Sequence, residues 1–131
     1  MARRSVRKAA GQRPTRRGSP VVDAPSSRRR PWRVALIASS SWSHAFLTPK
    51  HYLLYPDIDA DRALYEALQA ADYATWRQRP LSAIEDSGQQ EVLNWMCLVG
   101  AMNELGRRPT ETSYVQSYIF NSNKCFAVFE P

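Results

Sequence analysis

Val34-Ala35-Leu36-Ile37-Ala38-Ser39-Ser40-Ser41-Trp42-Ser43-His44 is the stretch whose reading decides the fold class. Its first five residues are apolar without alternation, the pattern of a strand covered on both faces in the sheet of an α/β protein. The polar run Ser39–His44 follows at once. Residues just beyond the carboxyl end of such a strand commonly line a ligand crevice. His44 is therefore the first candidate functional residue. An imidazole can take up or release a proton near neutral pH, which suits general acid/base work. The alternative is a loop histidine bonded to nearby backbone.

The residues downstream supply the helices of the layer. Asp57 to Ala71 predicts a helix capped by Asp57 or Asp59, with Ala60, Leu64, Ala67, Leu68 and Ala71 on its apolar side. Tyr73–Arg79 predicts a short helical turn before Pro80, and Leu81–Asp86 another. Ser87 with Gln90 forms a capping-box pattern ahead of a long helix that closes on Gly106 as its C′ residue, with Pro109 soon after. That helix is apolar on more than one side and so belongs at the centre of a fold. Glu91 in its first turn is conspicuous: the helix dipole favours a carboxylate there, and the same carboxylate can serve as a metal ligand. Tyr114–Phe120 and Lys124–Phe129 predict a strand pair joined at Asn121-Ser122-Asn123.

Charge divides the chain in two. The 131 residues carry a formal net charge of +6, but residues 1–33 hold eleven of the 18 Lys+Arg and one of the 12 acids, a balance of +10. Residues 34–131 balance at −4. With prolines, glycines and serines between its Arg/Lys clusters, the first segment reads as a disordered basic tail that cannot bury enough apolar surface to fold. Phosphate binding, a targeting presequence and a plain solvated extension are its three readings. The absence of interleaved aromatics weighs against nucleic acid. Residues 34–131 form the folded part, thin for a complex enzyme.

Composition excludes several classes. Cys97 and Cys125 are too few for a disulfide scaffold or a four-cysteine zinc site, and both read as small buried hydrophobes. A single bridge between them and a reduced pair both stay open. No apolar run approaches the roughly 20 residues that span a bilayer, and no secretory signal segment is present. The expected setting is cytoplasmic, with no membrane partner. There is no G-x-S-x-G elbow around Ser39–Ser43, no Gly-rich phosphate loop and no H-E-x-x-H. His44, His51 and Glu91 are the residue types of a two-histidine, one-carboxylate site suited to non-haem Fe(II), although their spacing does not require them to converge. His51, in His51-Tyr52-Leu53-Leu54-Tyr55, reads as structural.

Taken together, VALIASSSWSHAFLTPK, DADRALYEALQAADYATWRQ, IEDSGQQEVLNWMCLVGAM and SYIFNSNKCFAVFE resemble, in family order, the C-terminal half of the catalytic subunit of class III extradiol ring-cleavage dioxygenases of the protocatechuate 4,5-dioxygenase type. The resemblance covers residues 32–131. It implies a partial extradiol dioxygenase domain and O2-dependent meta-cleavage of a catecholic ring at Fe(II). It also implies Glu91 as the iron-ligating glutamate, four residues before Trp95, and His44 as the acid/base histidine. The family's two iron histidines belong to its N-terminal half, and no histidine precedes Val34. The expectation is therefore a truncated or remnant dioxygenase, inactive alone. The alternatives are a split enzyme whose partner subunit supplies the iron histidines, and a basic-tailed module that binds nucleic acid or protein.

Overall fold

Trp42, within the Ser39–His44 run, turns its indole fully inward, where it meets Trp76 edge-on at 5.7 Å and Trp95 edge-on at 5.5 Å. These rings are the centre of the computed structural model, which describes residues 33–130. Two short 3-10 turns, Ala45–Leu47 and Lys50–Leu53, lead into helices α1 (Ile58–Gln69), α2 (Tyr73–Gln78), α3 (Leu81–Asp86) and α4 (Val92–Glu104). Strands β1 (Glu111–Val115) and β2 (Lys124–Val128) follow. All lie in one compact unit, Ala35–Pro131. Apart from Arg33, the basic tail and the interaction role it suggests fall outside the described residues.

Local chemistry sets the helix ends. The Asp57 carboxylate accepts from the Ala60 amide at 3.1 Å and so caps α1, whose buried face carries Leu64, Ala67 and Leu68. Asp72 caps α2 in the same way through the Thr75 amide. The helix α4 closes on Gly106, at φ +63, with the Arg107 amide donating to Met102 O and the Gly106 amide to Asn103 O. This is the paired arrangement of a Schellman cap.

Three expectations about the elements are corrected. Ser87 does not cap α4: it closes α3, its one hydroxyl proton shared between Ala83 O at 2.6 Å and Gln89 Oε1 at 2.9 Å. Gly88, at φ +67, then turns the chain, and α4 begins only at Val92 with Glu91 in the N-cap position. Second, Val34–Ala38 joins no sheet among the described residues, and Leu36 and Ile37 are exposed. The extended chain reaches the hairpin only further on, through Trp42 N to Asn123 O (3.2 Å) and an isolated bridge between His44 and Ser122. Third, β1 and β2 pair antiparallel from Glu111↔Val128 to Val115↔Lys124, so the first strand lies earlier than Tyr114–Phe120 and the connection is longer than three residues. Asn123 holds that connection by accepting the Ser117 amide at 3.1 Å.

The architecture is a small mixed α/β domain in which helices flank a two-stranded sheet. Helix α4 is central on one face, burying Val92, Trp95, Leu98, Val99 and Met102, while Leu93 and Cys97 face outward. Cys97 is therefore exposed rather than core, and both cysteines are free thiols. Burial pushes the Cys125 thiol up to about 12. No helix among the described residues is long and apolar enough to cross a membrane.

Gly106 has open space where a Cβ would stand. Gly106→Ala should therefore lose only the left-handed conformational preference, about 1 kcal/mol in chemical denaturation with no change of fold.

Candidate functional site

The polar loop after Ala38 and the N-terminus of α4 close on one another. Ser40 Oγ donates to Glu91 O at 2.8 Å, and the Ser41 amide donates to Glu91 Oε2 at 3.1 Å. Two serines thus hold one glutamate. The Glu91 side chain turns toward this loop instead of capping its own helix, yet it keeps the favourable position of a negative charge at a helix N-terminus.

His44 completes the junction. Its amide donates to Gly88 O at 2.9 Å, and its carbonyl accepts from Leu47. The Phe46 ring covers the imidazole at 4.9 Å between centroids. Nε2 stands 3.2 Å from Glu91 Oε2, with the histidine side chain 12 % exposed and the glutamate 48 %. Despite this approach, the buried Nε2 makes no hydrogen bond among the described residues. An imidazole held in this way is oriented by its neighbours but has a ring nitrogen left for other chemistry. Lys124 adds a cation at the rim, its Nζ donating to Ser41 Oγ at 2.7 Å and also to Ser122 Oγ.

The fold brings His44 and Glu91 together and leaves His51 out. His51 stacks on Tyr55 at 4.3 Å, and His51, Tyr52 and Leu53 have φ values of 53, 56 and 63. Three successive non-glycine residues in the left-handed region form a strained turn. Among the described residues no three His, Cys, Asp or Glu side chains converge to hold a metal ion. The junction offers one carboxylate and one imidazole, two of the three donors of a two-histidine, one-carboxylate site. On their own they do not fit a self-sufficient Fe(II) centre.

Asp61 is the residue that sequence reasoning missed. It is fully buried on α1 and accepts from Ser43 N (3.1 and 3.2 Å), Ser43 Oγ (2.6 Å), Gln89 Nε2 (2.6 Å) and Asn123 Nδ2 (2.7 Å). Its signal was its place on the stripe of Leu64 and Leu68, where a carboxylate at i, i+3, i+7 spacing needs buried donors. Desolvation raises its pKa despite the opposing hydrogen bonds from Ser43, Gln89 and Asn123.

Comparison with protein-family models, with curated proteins and with solved structures returns no match.

Two predictions follow from this geometry. A Cβ on Gly88 would stand 2.6 Å from His44 O, in backbone at φ +67. Gly88→Ala should therefore cost about 2–4 kcal/mol, well above Gly106→Ala, because steric overlap adds to the backbone preference. For Asp61, a folded pKa above the unfolded 3.8 means the native state binds more protons in that interval. Its contribution to stability is then largest below pH 3.8 and falls as pH rises through the folded value. Denaturation of wild type and Asp61→Asn across that acidic range should show the wild type losing ground to the variant as pH increases.

Proposed function

We propose that this chain is the C-terminal portion of a class III extradiol dioxygenase-type domain, carrying one metal-ligating carboxylate and one proton-handling imidazole but no ring-cleaving activity by itself. The observation that carries this reading is the approach of His44 Nε2 to Glu91 Oε2 at 3.2 Å, from segments far apart in sequence. These are the two residues that the resemblance marks as the family's acid/base histidine and its iron glutamate.

The division of work follows from the surroundings. Glu91 is aimed by the Ser41 amide and remains half open, as a ligand must. His44 is shielded by Phe46 and makes no hydrogen bond through Nε2 among the described residues; in the tautomer that leaves Nε2 unprotonated, that nitrogen can accept a proton from a catecholic hydroxyl. Fe(II) bound at Glu91 would supply open positions for the catecholate and O2. The two histidines such a centre needs would come from outside this sequence, since using His44 as a ligand would remove it from its proton role.

A second reading, the split enzyme, is favoured by one feature. Phe46, Tyr52, Leu53, Leu54, Ile119 and Phe120 are all exposed. Phe46, Tyr52 and Leu53 line an open groove of about 460 Å³ beside the His44 loop. Apolar surface of this kind marks contact sites. Co-expression with a polypeptide bearing the N-terminal half should then give a complex and activity; a complex that stays inactive would sink this reading.

The purified chain, loaded anaerobically with Fe(II) and exposed to a catechol in air, should form no yellow ring-opened product. Robust product formation would overturn the claim of inactivity. In a Co(II) titration followed by absorbance, Glu91→Gln should weaken the chain's affinity at least about tenfold. Equal affinity would remove Glu91 from the metal.

A further inference from the structure

The donors bonded to Asp61 come from three separate segments. Ser43 belongs to the polar loop, Gln89 to the turn before α4, and Asn123 to the end of the hairpin connection. Each is close in sequence to a component of the candidate site. Ser43 precedes His44, Gln89 lies two residues before Glu91, and Asn123 follows Ser122, which bridges to His44. All these donors are neutral, so the carboxylate forms no ion pair in this cluster. Its two oxygens instead gather donors from segments that have no regular secondary structure to align them.

We propose that Asp61 is the positioning residue of the site: it fixes the His44 segment against the Gly88–Glu91 turn and so sets the gap between His44 and Glu91. The geometric claim stands without the dioxygenase reading, and only its catalytic meaning rests on that reading.

The cluster also says which substitution keeps the junction. Asn123 cannot reverse its amide, because its Oδ1 accepts the Ser117 amide at 3.1 Å. The acceptor it faces, Asp61 Oδ2, must therefore stay an oxygen. Gln89 is freer. If the Oδ1 position becomes an NH2, Gln89 can turn its Oε1 toward it and donate its own NH2 to Ser87 Oγ, which still donates to Ala83 O. Asp61→Asn can thus keep the Ser43, Gln89 and Asn123 groups paired, the Ser43 amide through Oδ2 alone, whereas Asp61→Ala strands all three at once.

Amide hydrogen exchange on the full chain, without metal or substrate, tests this. The reporters are His44 N, bonded to Gly88 O, and Ala45 N, bonded to Asn121 O, neither of which touches Asp61. The internal reference is Leu98 and Val99 in α4. Asp61→Ala should lower protection at His44 and Ala45 at least tenfold more than at Leu98 and Val99. Asp61→Asn should restore it, and Leu68→Ala, a buried change on the same helix, should lower all four together. Ser43→Ala, which removes only one hydroxyl, should show the same local pattern in smaller degree and carries the test if Asp61→Ala does not fold. Uniform loss in Asp61→Ala and Ser43→Ala, matching Leu68→Ala, would overturn the proposal. So would failure of Asp61→Asn to restore the two reporters. Because no metal enters, these outcomes are separate from whether Glu91 binds iron.

Discussion

A carboxylate without water must be met by donors, and Asp61 imposes that demand on the whole domain. Its burial is costly, and the cost is offset only if Ser43, Gln89 and Asn123 all reach it. That requirement ties the first helix to the loop before it, to the turn between α3 and α4, and to the return of the hairpin. These are the segments that lack ladders or helical hydrogen bonds of their own. Desolvation pushes the Asp61 pKa up, and the bonds from Ser43, Gln89 and Asn123 oppose that rise. With donors from three segments on its two oxygens, the carboxylate acts as a geometric clamp. Misplacing any one segment leaves the others with unsatisfied polar groups, and this makes the arrangement specific.

Trp42 carries the clamp into the apolar core. It adjoins Ser43, so the residue that anchors the loop to Asp61 and the residue that fills the centre move as one. A small domain has little apolar volume to spare. Here much of it comes from edge-on contacts of Trp42 with Trp76 and Trp95, supported by Tyr114 at 6.1 Å. Such pairs add about 0.5–1.5 kcal/mol each beyond area burial. The Trp76 indole is further locked by donating to Leu64 O at 3.1 Å, which joins α2 to α1. Helix α4 contributes Trp95 one turn after Glu91, so the rigid ring that packs the core also fixes where the carboxylate emerges.

The helices were legible in the sequence because their signals are local. The Asp57 cap, the Pro80 break and the Gly106 terminus each act within a few residues of the backbone they control. The start of α4 misled because Ser87 and Gln90 have capping-box spacing, while Gly88 at positive φ breaks the helix between them. Val34–Ala38 misled for a different reason. An apolar run states a need for cover on two faces but does not supply the neighbouring strands. Of the site, His44 and Glu91 could be chosen by residue type and position. Their meeting could not, because it depends on Asp61 drawing in Ser43 and Gln89, a relation between segments that no spacing encodes.

The same dependence explains why the pair stands as it does. A histidine and a glutamate 3.2 Å apart would ordinarily settle into a hydrogen bond, and here Nε2 makes none among the described residues. Each partner is already committed elsewhere: Glu91 Oε2 to the Ser41 amide, the His44 backbone to Gly88, and the imidazole face to Phe46. The side chains are thus held near one another without satisfying one another.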